Sequence, residues 1–577
     1  MTIISRLSPF LLCLLLLVSN LSHLNGQELK TVNFRSPLDI PLFLSGNFGE
    51  IRSNHFHSGL DFKTKGQSGL SVHAIERGFV SRIKVEPGGY GKAIYIQHPN
   101  GYSSLYGHLM DFRNDLAEYV KSSQYQRESF SVDLYPKPGQ FSVEPGDYIA
   151  LSGNTGSSQA PHLHFEIRDS QTQNPVNPLL FPFEVYDSRA PQIKSLYIYS
   201  LTGRKDLKEP LQISLSGSNG TYKPSGKQIW PIDIVSGIGV ETIDFLDNSS
   251  NKCGIYELKI FFDDGLIFSS KMDEFSFSES KYINSLIDYR IYDENRKQVL
   301  KAFIEPNNSL SIYQYASNQG KIQIQDTLIH EIRVQINDVH LNKSEAKIMV
   351  RLNPGEFDEF TVALPYYSNF FSFSEKNHFE EKNILLEFPQ NSFYDNVFFY
   401  YESDSIPPGA FSRIHRLHDS SVPLHRSFKL SIKPDSLPDH LKPYAIIARV
   451  SEAGEYHPAG GYWEEDYLVT KSGSFGDFTV CIDSIPPSIQ YTGNLKNEVL
   501  RAGNSITFTI EDDFSGIKSF RGTLDGKWIL FDWDPKTSTL KHKTDKALLP
   551  RGTQKELILR VLDRLGNIAE FKKTVTR

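Results

Sequence analysis

Cysteine is scarce in this 577-residue chain, with three residues in all. That excludes a disulfide-stapled scaffold and any array of cysteine-ligated zinc ions. A bias of charge is missing too: 61 Lys and Arg against 68 Asp and Glu leave a net charge of −7. The broad basic footprint of a non-specific nucleic-acid binder is therefore absent. Beyond residue 18 no apolar run is long enough to cross a bilayer as a helix. Between about Pro37 and Glu184 helical periodicity is lacking as well, except around Asp111–Ser122. Hydrophobic residues are not lacking. At 39% of the chain they supply several cores and rule out a disordered polymer. The 28 Tyr and 39 Phe, with 39 Gly and 31 Pro, lean toward β structure.

The first residues carry one positive charge at Arg6, then an apolar run from Pro9 to Val18, then a polar stretch with small residues at Asn25 and Gly26. This is the layout of a secretory signal peptide over residues 1–26, and the run is too short for a spanning helix. The expectation is a chain secreted across the inner membrane into the periplasm or cell envelope, with no transmembrane span after cleavage. Cys13 lies inside the apolar run, so it is not read as a lipid-attachment site. Cys253 and Cys481 remain, either bridged or as two separate buried thiols.

The predicted fold class is mainly β. From about Pro37 to Glu184 short strands alternate with glycine turns, as in Gly78–Val85, Tyr102–Tyr106 and His162–Arg168. Past residue 185 the strands become longer and richer in aromatics. A weak repeat links two stretches: Asp187–Ile193 and Asp483–Ile489 open them, Asp233–Ile238 and Asp512–Ile517 share Asp-x-x-Ser-Gly-Ile, and Asp338–Asn342 and Asp563–Asn567 close them. The division read from this is an N-terminal antiparallel-sheet domain over 27–185, a β-sandwich module over 186–352, a β-rich middle module over 353–483 and a β-sandwich module over 484–577.

Three strings in the first domain concentrate chemistry: His57-Ser-Gly-Leu-Asp61, Tyr106-Gly107-His108 and Pro161-His162-Leu163-His164-Phe165-Glu166. Alternation along a strand puts His162 and His164 on one face. Imidazole and carboxylate are good zinc ligands, and three protein ligands with one open position is the catalytic arrangement. His57, Asp61 and one histidine of the pair make such a set, which leaves the other histidine of the pair and His108 free beside the metal. His55 shares the spacing of His57 but reads as a packing or supporting residue, and Glu166 as a support to the ligands at most. His415, His418, Asp419 and His425 read as a solvated hairpin instead of a second metal site.

Asn54–Asp61 (NHFHSGLD), Gly89–Ile96 (GYGKAIYI), Tyr106–Leu109 (YGHL), Pro145–Asp147 and Gly153–Glu166 (GNTGSSQAPHLHFE) resemble the ordered blocks of the lysostaphin- and LytM-like zinc endopeptidases. The likeness covers roughly residues 45–170. It implies that His57, Asp61 and His164 hold a Zn2+ ion and that His108 and His162 are unliganded catalytic histidines. It also implies hydrolysis of peptide bonds in peptidoglycan cross-links or stems. Relatives without the ligands act as regulators of other cell-wall hydrolases, so the alternative is a zinc-binding, non-catalytic regulator. The later modules resemble immunoglobulin-like sandwiches of exported Bacteroidetes-type proteins, which says little about their ligand; envelope protein partners through these modules are expected, and the charge balance leaves out nucleic acid. One stretch departs from compact members of that family: Asp111–Ser142 is long, and it reads as a surface insertion or as a lid over the groove.

Overall fold

The architecture comes from a computed structural model, which describes residues 32–203, 208–353, 355, 369–493, 505–544 and 552–576. The expected leader at 1–26 lies outside the described residues. Strands dominate throughout. Among the described residues no helix is long and apolar enough to cross a membrane.

The site is carried by an antiparallel sheet of β1 (Leu44–Gly46), β2 (Leu60–Lys63), β3 (Gly78–Val85), β4 (Lys92–Gln97), β5 (Tyr102–Gly107), β6 (Val132–Leu134) and β7 (His162–Asp169), in the order β1-β2-β7-β5-β4-β3-β6. Between β5 and β6 runs helix α1 (Asn114–Arg127). β7 lies inside the sheet, and its register sets His164 opposite Asp61 on one side and Gly107 on the other. Its alternation is complete. Leu163, Phe165 and Ile167 are fully buried, with the Phe165 ring against those of Phe62 and Tyr106. Each such burial contributes about 2 kcal/mol. The opposite face presents His162, His164, Glu166 and Arg168 in a row.

The insertion Asp111–Ser142 is built into this frame. α1 buries Leu116 and Val120, its C-cap Glu128 takes the left-handed conformation, and β6 then adds an edge to the sheet on β3. A bidentate Arg82–Asp133 ion pair fastens that edge.

Residues 192–352 form a twelve-stranded array, in which Thr221–Pro224 and Ile229–Ile232 pair in parallel with Lys343–Leu352. Residues 377–482 carry two five-stranded sheets, and 488–576 two four-stranded sheets around one core of Phe508, Phe531, Leu559 and Val561. The core of the first domain runs on past residue 185: Phe275 packs at 5.1 Å against both Phe48 and Phe56, within one cluster that also takes in Tyr256, Met272 and Leu286. Asn47 and Gly254 exchange two hydrogen bonds of 2.8 Å across the same seam.

The ends of the repeat form matching knots. Asn342 binds the Asp338 carboxylate through its backbone N–H and its side-chain amide, and the amide also reaches the Asp187 carbonyl. Asn567, Asp563 and Asp483 repeat this arrangement. The shared hexads do not correspond. Asp512 lies beside Asp483 and Asp563. Asp233 instead binds Ser200 and Thr202, and Asp244 takes the place beside Asp187 and Asp338. Cys253 and Cys481 are separate buried thiols.

Candidate metal centre and active site

Residues from three chain segments converge on one point. His57 Nε2 lies 3.0 Å from Asp61 Oδ1 and 3.1 Å from His164 Nδ1, and His164 Nδ1 lies 2.9 Å from Asp61 Oδ1. All three residues are buried. Their outer nitrogens are already committed. His57 Nδ1 is 2.8 Å from the Asn47 carbonyl, which can only accept, so Nδ1 carries the hydrogen and Nε2 presents its lone pair. His164 Nε2 donates in the same way to Glu166 Oε1 at 2.8 Å. Two imidazole lone pairs and a carboxylate oxygen therefore face each other, an arrangement that repels itself until a cation or a proton enters. The donor chemistry and the tautomers fit a zinc ion.

The electrostatics agree. Burial opposes charge on His164, yet Asp61 and Glu166 outweigh it and push its pKa up to about 9. Burial lowers His57. Asp61 is held well below the usual carboxylate range, because His57 and the imidazoles of His162 and His164 around it outweigh the cost of its burial.

Glu166 is fully buried and anchors the ligand side of the site. Its Oε1 accepts from Ser58 Oγ and Tyr90 OH, both at 2.6 Å, and its Oε2 from Arg168 Nε at 2.6 Å. Arg168 outweighs the burial penalty and keeps the carboxylate ionised. A second guanidinium sits on the ligand itself: Arg52 Nη2 donates to Asp61 Oδ2 at 2.7 Å, which leaves Oδ1 to the cluster. Ser58, Tyr90 and Arg168 were within reach of sequence reasoning, since Arg168 shares the strand face of Glu166. Arg52 has no spacing signal.

His108 and His162 stand beside the three, with their rings 4.8 Å apart. His108 follows Gly107 at the end of β5 with φ +58°, a left-handed backbone costing about 1 kcal/mol. His108 Nδ1 donates to the Thr155 carbonyl at 2.8 Å and His162 Nδ1 to the Ala160 carbonyl at 2.8 Å. Both Nε2 atoms consequently carry lone pairs. His162 Nε2 is buried without a hydrogen-bond partner and lies 3.3 Å from Asp61 Oδ1. Burial and the neighbouring His164 and His162 push His108 down to about 3, so it is neutral at working pH.

The structure brings together all five residues singled out in the sequence: His57, Asp61, His108, His162 and His164. His55 stays outside, its Nδ1 on the Ser53 carbonyl at 2.8 Å. His415, His418 and His425 do not converge. His415 binds Tyr401, His418 packs on Tyr400 and Phe475, and His425 stacks on Tyr282.

Residues 55–125 match Peptidase family M23. The first domain belongs to that family. Residues 368–483 match the Zu5-like domain. The DD-carboxypeptidase/endopeptidase Mpg of Neisseria meningitidis serogroup B (strain ATCC 13091 / M2091) is 33% identical over 122 residues, which cover 21% of this chain and 22% of the relative. The peptidoglycan DD-endopeptidase ShyA of Vibrio cholerae serotype O1 is 30% identical over 149 residues, covering 25% and 29%. The match thus spans between a fifth and a third of these curated relatives. Among solved structures, a zinc-containing peptidase from Vibrio cholerae is 27% identical with TM-score 0.19, covering 25% of this chain and 39% of its own. The catalytic domain of lysostaphin from Staphylococcus simulans is 26% identical with TM-score 0.16, covering 23% and 86%. The match to Peptidase family M23 supports a metallopeptidase domain, and the structure offers a possible metal site there at His57, Asp61 and His164.

Proposed function

We propose that this chain is an exported zinc metalloendopeptidase that hydrolyses peptide bonds in peptidoglycan cross-links or stems, acting in the periplasm or cell envelope. The observation that carries the reading is the meeting of three unspent donor atoms, on His57, Asp61 and His164, beside the imidazoles of His108 and His162, whose Nδ1 atoms are tied to carbonyls. The likeness to peptidoglycan endopeptidases supports the choice of substrate.

A zinc ion held by His57 Nε2, Asp61 Oδ1 and His164 Nδ1 would supply Lewis acidity and a water acidified toward neutral pH. The chain itself supplies the proton traffic. His108 and His162 each hold a hydrogen at Nδ1 against a carbonyl, so a proton taken from water enters at Nε2. With their rings 4.8 Å apart, a charge on His162 disfavours one on His108. The protonated imidazole is then a donor toward the developing oxyanion, and it returns its proton to the departing amine. Glu166 and the Asn47 carbonyl keep the ligand imidazoles in the required tautomers.

One observation favours a second reading, a zinc-binding but non-catalytic regulator of another hydrolase. Arg52 already neutralises Asp61 and crowds its second oxygen. The two readings separate in one experiment. Protein comprising residues 27–577 is purified, its zinc content measured, and peptidoglycan added. Near-stoichiometric zinc with muropeptide release that falls about 10²–10⁴-fold in His108→Ala supports the peptidase. Zinc-loaded protein that releases nothing supports the regulator. The β-rich modules are proposed as the surface for envelope protein partners.

A further inference from the structure

The carbonyls that orient both free histidines belong to one loop between Gly153 and His162. Thr155 O takes the His108 hydrogen and Ala160 O that of His162, while Ser158 Oγ also donates to Ala160 O at 2.8 Å and touches His162 Nδ1 at 3.2 Å. One flank of the loop is braced within the domain. Gly156 lies so close to Gly89 and Gly91 that a Cβ would meet backbone at 2.3 Å, and Thr155 Oγ1 bridges Lys92 N and Leu109 O. The other flank is braced from the last module. Lys536 Nζ donates to Asn154 O at 2.6 Å and to Ser158 O at 2.9 Å, closing over the five residues that include Thr155.

Lys536 sits in the turn between the strands Asp532–Asp534 and Thr539–Lys543. That module is held on the insertion by two further contacts. Arg521 pairs with Glu128 at 2.6 Å, and the Trp528 ring meets Tyr125 edge-on at 5.3 Å. The contacts lie on the C-terminal half of α1 and its cap, so the insertion is the seat on which the last module rests.

We propose that Lys536 is a positioning residue: by gripping Asn154 O and Ser158 O it fixes the loop whose carbonyls set the tautomer and aim of His108 and His162. This rests on the peptidase reading above. Ammonium-to-carbonyl bonds are charge-assisted and roughly twice as strong as neutral ones, and two from a single nitrogen tie Asn154 to Ser158 across the segment that carries Thr155. A displacement of about 1 Å there turns both imidazoles from the reacting atoms, and misplacement on that scale is costly to rate.

The test uses protein comprising residues 27–577 with Lys536→Ala and Lys536→Arg. Zinc per chain, thermal midpoint, kcat and KM on a cross-linked muropeptide, and hydrogen exchange of the Asn154–Ser158 amides are measured for each. In Lys536→Ala, kcat is expected to fall on the order of tenfold, part of the general acid–base contribution, with KM, zinc and midpoint unchanged. Exchange of the loop amides speeds up, and Lys536→Arg restores both. Unchanged or increased kcat, or a parallel rise of KM, overturns the proposal. If the unmutated protein cleaves nothing, the peptidase reading fails, and loop exchange alone decides on Lys536: faster exchange in the alanine variant supports the grip, and equal exchange overturns it.

Discussion

Among the described residues, three sets of side chains bring possible ligand atoms within 4.8 Å of one another: His57/Asp61/His164, Asp187/Asp338/His340 and Asp483/Asp512/Asp563. The first and the last are built in opposite ways. At the first, every hydrogen-bonding hydrogen points outward, to Asn47 O and Glu166, and the lone pairs point in. At the last, most carboxylate oxygens are spent on the backbone, and Asp512 Oδ1 alone of them is buried without a partner. Asp563 Oδ1 accepts from the N–H groups of Leu565, Gly566 and Asn567, Asp483 takes those of Ile485 and Ser515, and Asp512 Oδ2 that of Gly516. Nearness alone therefore does not distinguish a metal centre from a structural knot. What distinguishes them is whether several facing donor atoms are still free, as at the first, or a single one, as at the last.

The largest test of that contrast is removal of a ligand. His164→Ala is expected to lower peptide cleavage by on the order of 10³-fold or more and to bring bound zinc below stoichiometry, and chelation should reproduce the loss in the unmutated protein. Metal analysis beside a muropeptide assay checks both, and full activity in the zinc-free variant would sink the assignment. Next in size is Glu166→Gln, which keeps the shape but offers His164 Nε2 a weaker acceptor and leaves Arg168 without its counter-ion. Zinc affinity should fall about 10–100-fold, read by competition with a chromogenic chelator. An equal affinity would show that Glu166 only packs.

The opposite test falls on the knot. Asp563→Ala strands three backbone N–H groups and should cost the last module about 2–3 kcal/mol in urea unfolding. Cleavage at 25 °C by the still-folded protein should not change. A loss of zinc in this variant would erase the distinction drawn between the two kinds of cluster.

The sequence made the frame legible because its cause is local. Alternation over 162–168 places Leu163, Phe165 and Ile167 inward and both histidines on the other face, and the strand observed is His162–Asp169. Glycine turns likewise marked Gly78–Val85, and the periodicity near Asp111–Ser122 marked α1, which extends to Arg127. What stayed hidden has its cause in three dimensions. The acceptors that fix the imidazoles are carbonyls of Asn47, Thr155 and Ala160, and every residue carries a carbonyl. Arg52 reaches Asp61 from a short hairpin, and Lys536 reaches the loop from the other end of the chain. The repeat misled at one point only: its hexads match in letters, but Asp244, from outside the motif, fills the place that Asp512 holds in the second copy.

That substitution yields the smallest expected effect. Around Asp187, Asp244 and Asp338 the carboxyls crowd each other more than the backbone relieves them. Burial, and then its neighbours Asp338 and Asp187, push Asp244 up to about 8, while burial raises Asp187 to about 7 against the pull of the Arg189 and Asp247 N–H groups. Both values lie above the ordinary carboxylate value of 3.8 that the unfolded chain would show. Between about pH 4 and pH 8 the folded state therefore holds more protons at these two groups than the unfolded one, and their contribution to stability falls as pH rises through that window. Asp244→Asn removes one of the titrating groups and its charge. Its thermal midpoint should fall less from pH 5 to pH 8 than that of the unmutated protein, and should lie a few degrees above it at pH 8. Parallel curves would mean that the surroundings of this cluster already offset its charge.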